Sequence, residues 1–233
     1  DIHIHSSTQN PSEIQTVVAE ALGIGYHQVV CVCKRMGGGF GGKETQAAIP
    51  AVMAALVASR TGRPARVAYT KDDDMRSTGK RHPYKIHYKA AFTSKGKITG
   101  VRFDIYSNGG AAADLSSSVL ERTLFHSDNA YYIPNLIFNG VICKTNFPPN
   151  TAFRGFGGPQ GMANIENVIQ EIAIYLQKDA LEVRRLNCYA HRGRNITPYG
   201  QVVRDHILPE IMDQLAETSR YSKRIKQVEE FNR

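Results

Sequence analysis

A glycine-rich stretch, RMGGGFGGKE from Arg35 to Glu44, comes closer than any other part of the chain to a ligand-binding motif. Gly37, Gly42 and Lys43 fit the spacing G-x-x-x-x-G-K of a phosphate-binding loop. That loop next requires Ser or Thr, whose hydroxyl binds magnesium, whereas this chain has Glu44. Because a carboxylate repels phosphate, the pattern favours a loop that holds a different ligand.

A second stretch, FRGFGGPQG from Phe153 to Gly161, repeats the Gly-Phe-Gly-Gly core of the first. Glycines let the backbone approach a ligand closely, and a helix that starts beside them adds partial positive charge. Two interpretations are open. The loops are tight turns with Phe40 and Phe156 in the core, or they line a cleft where one ring contacts a flat ligand.

Other chemically competent residues fit structural roles. Asp72, Asp73 and Asp74 could ligate a divalent metal, but adjacent carboxylates more often lie on a solvated turn or at the start of a helix. His3 and His5 share a strand face without an evident third ligand. The cysteines lack the spacing of a zinc site and are predicted to be buried free thiols: Cys31, Cys33, Cys143 and Cys188.

The composition is that of a globular protein, with 42% hydrophobic and 21% charged residues among 233. The net charge is +8, but the basic residues are scattered, which favours small anions or an anionic cofactor over nucleic acid. No apolar run reaches transmembrane length and no signal-peptide pattern is present, so we expect no membrane partner and a cytoplasmic location. The first residue is Asp1, and we expect an internal piece of a longer protein.

Hydrophobic periodicity and turn residues predict an α+β fold, with mixed or antiparallel sheets and packed helices. Strands are predicted at residues 1–7, 27–35, 65–70, 84–92, 97–107 and 136–144. Helices are predicted at residues 10–23, 44–62, 159–179 and 180–190, with two polar amphipathic helices in the last thirty or so residues. The helix at 44–62 is apolar nearly all round, so we expect it to be buried, with Pro50 starting or kinking it.

Five longer motifs resemble the molybdopterin-binding portion of the xanthine dehydrogenase and xanthine oxidase family of molybdenum hydroxylases. In chain order they are SSTQNP, VVCVCKRMGGGFGGKE, GKRHPYKIHYKAAF, LERTLFHSDNAYYIPN and CKTNFPPNTAFRGFGGPQGM. The resemblance implies a fragment with a molybdenum–molybdopterin cofactor. Residues 1–190 are then the N-terminal part of the cofactor region, and residues 191–233 are a linker and helices that lead to a second cofactor domain.

The resemblance also implies a role for each residue at a matching motif position. The residues implied to surround the cofactor are Gln9, Gly39, Phe40, Gly41, Gly42 and Arg154. Of these, Gln9, Phe40 and Arg154 are implied to form the environment of the molybdenum, through the cofactor rather than as direct ligands.

Three further residues are implied to bind the substrate: Glu44, Arg122 and Phe156. A carboxylate accepts hydrogen bonds from purine N–H groups, and a guanidinium donates to a purine carbonyl and stabilises negative charge on it. Aldehyde oxidases resemble this sequence but usually carry different residues at the positions of Glu44 and Arg122. We therefore expect xanthine or hypoxanthine as substrate, with an aldehyde or another N-heterocycle as the alternative.

The activity that the resemblance implies is hydroxylation with water as the oxygen source. The family's general-base glutamate lies in a later Gly-Glu-Pro-type motif that this sequence does not contain, so we expect no catalytic residue here and an inactive isolated chain. Four scattered cysteines cannot bind two iron–sulfur clusters, which are expected elsewhere in a dimeric enzyme together with FAD and the rest of the cofactor site. From other classes, a non-catalytic nucleotide- or phosphate-binding module and a basic RNA-binding protein remain alternatives.

Overall fold

The computed structural model describes residues 1–190 and 193–232. His191, Arg192 and Arg233 of the predicted linker segment 191–233 lie outside the described residues. The chain divides into two compact units: unit 1 is Asp1–Ile86, Ile105–Phe125 and Asn139–Gln160, and unit 2 is His87–Asp104, His126–Phe138 and Gly161–Arg233. The domain boundary predicted at residue 190 stays a prediction.

Strands and helices are mixed along the chain. The strands are β1 (Ile2–His5), β2 (Val29–Val32), β3 (Tyr84–Phe92), β4 (Ile98–Gly110) and β5 (Leu136–Lys144). The helices are α1 (Pro11–Leu22), α2 (Ala48–Thr61), α3 (Lys71–Ser77), α4 (Ser116–Phe125), α5 (Gly158–Leu176), α6 (Ala180–Asn187), α7 (Leu208–Thr218) and α8 (Tyr221–Phe231). β1 and β2 form a parallel pair, and a second sheet has the order β3-β4-β5. The predicted α+β fold is confirmed.

The first part of unit 1 is a β1-α1-β2 crossover that ends at the first glycine loop. The Asn10 side chain caps α1 by accepting from the Glu13 N–H at 3.3 Å, Pro11 is the first helical residue, and Gly23 ends the helix with a φ of +64°. Ile4 of β1 belongs to the same buried cluster as α1 and α2. The caps fix where α1 starts and stops, and the apolar face holds it on the two strands.

α2 is less buried than its sequence predicts. Ala48, Ala51 and Ala55 pack in the cluster with α1 and β1, whereas Met53 and Val57 are 47% and 53% exposed. The small alanines let the helix approach the strands closely, and the larger apolar side chains lie on its other side. The prediction of a fully buried helix is therefore wrong for the described residues. Pro50 lies in the first turn, where a missing N–H costs no intrahelical hydrogen bond.

The strand predicted at residues 65–70 is absent from the part of the chain that the structure describes. Thr70 instead caps α3: its hydroxyl oxygen accepts from the Asp73 N–H at 3.2 Å, and the Asp73 carboxylate accepts from the Thr70 N–H at 3.0 Å. The Thr70 hydroxyl also donates to the Asp73 carboxylate at 2.7 Å, and this bond, followed by the one from the Thr70 N–H, lowers the pKa of Asp73. Side-chain alternation gave the prediction, but a strand also needs a partner edge, and no described strand pairs with this segment.

Unit 2 is organised around a fully buried amide. Asn187 of α6 donates to the carbonyls of Gly96 and Val183, and its oxygen accepts from the Ile98 N–H at 2.8 Å. These bonds hold the turn between β3 and β4 against α6, with Gly96 buried at the contact. All nine residues predicted to bind cofactor or substrate lie in unit 1.

Candidate functional site

The first glycine loop leaves β2 and folds back on itself before α2. The Gly42 N–H donates to the Gly39 carbonyl at 2.9 Å, and the Glu44 N–H donates to the Gly41 carbonyl at 3.1 Å. Phe40 and Gly41 both have left-handed backbones, with φ of +52° and +90°. The Phe40 side chain is 64% exposed, so it does not serve as a core residue of unit 1.

The Gln9 side chain is bonded to the backbone of this loop. Its Oε1 accepts from the Gly41 N–H at 2.9 Å, and its backbone N–H donates to the Lys43 carbonyl at 3.1 Å. A Cβ at Gly39 would lie 2.3 Å from Oε1 and would displace Gln9. Because Oε1 is already engaged, Nε2 of this exposed side chain is the atom that can donate to a ligand.

The Lys43 side chain bonds the start of the first loop to the segment after β1. Its ammonium donates to the Met36 carbonyl at 2.8 Å and to the Ser7 hydroxyl at 2.9 Å, and its own carbonyl accepts from the Thr8 hydroxyl at 3.0 Å. In a phosphate-binding loop the lysine instead reaches the ligand's phosphates. This arrangement argues against the nucleotide- or phosphate-binding alternative.

The second loop repeats the backbone of the first. Phe156 and Gly157 are left-handed, with φ of +50° and +96°, as are the Phe and Gly at the matching positions of the first loop. The Phe156 N–H donates to the Phe153 carbonyl at 2.8 Å, and the Gly158 N–H donates to the Gly155 carbonyl at 2.9 Å. The repeated sequence motif therefore gives a repeated turn, and here the turn leads directly into α5.

The two loops contact each other. A Cβ on Gly41 would lie 3.0 Å from the backbone of Ala152, which precedes the second loop. The Arg154 guanidinium carbon lies 5.9 Å from the centre of the Phe40 ring, at the outer limit of a cation–π interaction. Since Gln9 is bonded to Gly41, the structure brings Gln9, Phe40, Gly41 and Arg154 together at one exposed surface of unit 1.

The buried side chain of Thr123 fixes α4 to the second loop. Its hydroxyl lies 2.9 Å from the Gly157 carbonyl, 3.0 Å from the Val119 carbonyl and 3.0 Å from the Tyr84 hydroxyl. A Cβ on Gly157 would lie 2.1 Å from the Val119 carbonyl oxygen, so only glycine fits there. Arg122, the next residue to Thr123 on α4, has an exposed side chain.

Sequence reasoning missed Arg81 as a support of the second loop. Its Nη2 donates to the Arg154 carbonyl at 2.7 Å, and its guanidinium carbon lies 4.7 Å from the centre of the Phe153 ring. The neighbouring His82 is buried, with Nε2 2.7 Å from the Ser116 hydroxyl, and burial lowers its pKa. No spacing rule marks Arg81, because its main partner is a backbone carbonyl far along the chain.

The predicted substrate pair consists of a half-buried Glu44 and an exposed Arg122. Among the described residues they form no ion pair with each other. Directly after Glu44, the Thr45 hydroxyl and the Gln46 amide both donate to the Asp114 carboxylate, at 3.2 and 3.1 Å. These bonds fix the backbone that carries Glu44. That Glu44 and Arg122 bind one substrate between them stays a prediction.

The described residues contain neither a cluster of potential metal ligands nor a membrane-spanning helix. Within residues 1–190 and 193–232, no group of three or more His, Cys, Asp or Glu side chains is arranged to hold a metal ion. The helices described in those ranges are all too short or too polar to cross a bilayer. All four cysteines are free thiols, as predicted, but only Cys188 is buried and the other three are partly exposed, so the predicted burial is wrong for those three. Burial raises the pKa of Cys188 to about 11.

Comparison with known proteins identifies the family. Residues 1–188 match the family model described as the molybdopterin cofactor-binding domain. Xanthine dehydrogenase of Calliphora vicina is 47% identical over 233 residues, which is all of this chain and 17% of that protein. Xanthine dehydrogenase/oxidase of Rattus norvegicus is 46% identical with the same coverage. The aldehyde oxidoreductase from Desulfovibrio gigas matches in structure with a TM-score of 0.85 and 30% identity, over 97% of this chain and 25% of that one.

These matches confirm the resemblance that the sequence motifs predicted. The chain spans 17% of the length of the curated relatives it matches, and the family match covers both glycine loops. The chain belongs to the molybdopterin cofactor-binding domain family.

Proposed function

We propose that the paired loops of unit 1 form part of the molybdopterin site of a larger oxidoreductase that hydroxylates xanthine or hypoxanthine with water as the oxygen source. The observation that carries this proposal is the meeting of the two loops. Gly41 lies against Ala152, Arg154 lies beside Phe40, and Gln9 is bonded to the Gly41 N–H.

The groups at this surface fit the cofactor. Phe40 offers an exposed aromatic ring, Gln9 offers a donor through Nε2, and Arg154 offers a positive charge to an anionic group. When bound, the cofactor supplies the redox chemistry of its molybdenum. The proposed role of these residues is to bind and orient it, through the donors of Gln9 and Arg154 and the ring of Phe40.

Glu44, Arg122 and Phe156 are proposed to bind the purine. Glu44 accepts from a ring N–H, Arg122 donates to a carbonyl and stabilises negative charge on it, and Phe156 packs on the ring. The names of the curated relatives, xanthine dehydrogenase and xanthine dehydrogenase/oxidase, support this assignment.

The rest of the parent protein or complex is proposed to complete the enzyme. The general base, the second half of the cofactor site, the iron–sulfur clusters and FAD belong there in this proposal, and the complete enzyme is a cytoplasmic dimer. The isolated chain is therefore expected to turn over no purine.

Oxidation of an aldehyde is the second candidate. It is favoured by the 30% identity to the aldehyde oxidoreductase from Desulfovibrio gigas. The two candidates differ in what the pocket must recognise: an aldehyde has no N–H groups for Glu44 to bind, whereas a purine has polar edges that need partners.

Steady-state kcat/KM of the full-length parent for xanthine and for an aromatic aldehyde separates these candidates. We expect the parent to prefer xanthine, and Glu44→Val and Arg122→Met each to lower kcat/KM for xanthine by about 100-fold or more while the aldehyde is still oxidised. Glu121→Gln, which removes an exposed carboxylate next to Arg122, is the matched control and should leave the preference unchanged. A parent that prefers the aldehyde, or variants with unaltered xanthine turnover, would contradict the purine assignment.

A further inference from the structure

A groove of about 790 Å³ lies in unit 1 beside β1. Ile2–Ser7 line one side of it, and residues between 64 and 69 line another. α2 contributes a third side through small residues, among them Ala54 and Ala58. The groove therefore has a strand, an irregular segment and an alanine-rich helix surface around it.

One edge of β1 is open toward this groove. β1 pairs with β2 in parallel, and the Ser6 N–H donates to the Val32 carbonyl at 3.1 Å. Backbone groups of successive residues in a strand point to opposite edges, so His3 and His5 direct their N–H and C=O groups away from β2. In the part of the chain that the structure describes, these groups have no backbone partner, and both residues line the groove.

The segment at residues 65–69 is unpaired in the same way. Its sequence ARVAY has the pattern of a strand, yet no backbone hydrogen bond joins it to another described residue. Its ends are fixed, because Thr61 bonds the Arg63 N–H at 3.3 Å on one side and Thr70 caps α3 on the other. Two segments with unused backbone donors and acceptors thus border one groove, which is the arrangement of a sheet that lacks a strand.

We propose that the groove binds one β-strand from a part of the same protein outside residues 1–233. The inserted strand pairs with the open edge of β1 on one side and with residues 65–69 on the other, and the completed sheet has the order β2, β1, inserted strand, residues 65–69. The four residues of β1, together with Ser6 and Ser7 after it, offer a pairing length of about 20 Å, enough for an ordinary strand.

The occupant is assigned to the same protein because the curated relatives are much longer than this chain, which covers 17% of them. A strand tethered in the same polypeptide reaches the groove at a high effective concentration, whereas a second copy must pay the full entropy of association. The chemistry of the groove also restricts the strand. Side chains that face the alanines of α2 must be small or apolar, and the alternate side chains are free to be polar.

Amide hydrogen exchange of the full-length parent, resolved to single residues, tests whether a strand is bound. We expect the amides of His3 and His5 and alternate amides in Arg66–Tyr69 to exchange about 100-fold or more slowly than free amides. Ile4 directs its N–H toward β2 and serves as the internal control that is slow with or without an inserted strand. Exchange of His3 and His5 at the rate of free amides, with Ile4 protected, would overturn the proposal.

A photo-cross-linking group introduced at His3 of the full-length parent identifies the occupant. In a mixture of light and isotopically heavy copies, we expect cross-links only within one copy, to a segment outside residues 1–233 with alternating apolar side chains. Cross-links between light and heavy copies would assign the groove to a second copy. Cross-links to a foreign protein, or no cross-link at all, would show that no strand of the same polypeptide occupies the groove. Each of these results contradicts the proposal.

Discussion

Phe40 and Phe156 both hold backbone conformations that cost a residue with a side chain about 1 kcal/mol. Each is followed by a left-handed glycine, so the same strain occurs twice in one small region of unit 1. Such strain persists where the surrounding structure enforces it, and here the enforcing contacts are those of Gln9 and Thr123. At the scale of the residue, these contacts hold a phenylalanine ring and the glycine after it in a fixed position in each loop.

Gln9 is predicted to have two separable roles. Gln9→Glu keeps the acceptor for the Gly41 N–H but removes the Nε2 donor, so we expect about tenfold faster loss of molybdenum on dialysis of the parent protein with little change in thermal stability. Gln9→Leu removes both groups and is expected to lose the metal quickly and to weaken the loop as well. Molybdenum retention in Gln9→Glu equal to that of the parent would show that Nε2 does not bind the cofactor.

At the scale of the element, α4 joins the second loop to Arg122, one member of the predicted substrate pair. Thr123 bonds the Gly157 carbonyl from the buried side of the helix, and Arg122 lies beside it on the exposed side. The position of Arg122 on α4 therefore depends on a hydrogen bond made by its neighbour.

Thr123→Val is predicted to loosen this junction. The substitution nearly conserves volume but leaves the Gly157 carbonyl without its buried donor, which costs about 1–3 kcal/mol in the free energy of unfolding of this region. Thr123→Ser keeps the hydroxyl and should retain most of that stability. Hydrogen exchange of the second loop in the parent protein measures the difference, and equal exchange in the two variants would contradict the assigned role.

Most elements were predictable because their signals are local. The caps Asn10 and Gly23 bound α1, and alternation gave the full extent of β3 and β5. Residues 65–70 and the exposure of α2 were predicted wrongly, since both depend on what lies beside an element rather than on its own pattern. In the site, the Gly-Phe-Gly-Gly repeat was visible, but Arg81 was not, because its partners are a carbonyl and a ring that no spacing rule connects to it.

At the scale of the whole molecule, we propose that the chain supplies binding residues to a larger enzyme. Every residue assigned to cofactor or substrate lies in unit 1, and the chain spans 17% of its curated relatives. Its net charge of +8 favours an anionic partner such as the cofactor. The central claim is therefore about binding: the paired loops hold molybdopterin.

The molybdenum and pterin content of the purified full-length parent, per mole of protein, tests this claim most directly in a Gly41→Ala variant. The new methyl group would combine backbone strain at a φ of +90° with a 3.0 Å contact to Ala152, so we expect about a tenfold lower content of both. Gly62→Ala is the matched control, because Gly62 also has a left-handed φ of +65° but lies at the end of α2 with open space around it, and it should keep the parental content. A Gly41→Ala protein that retains the parent's molybdenum and pterin would contradict the account.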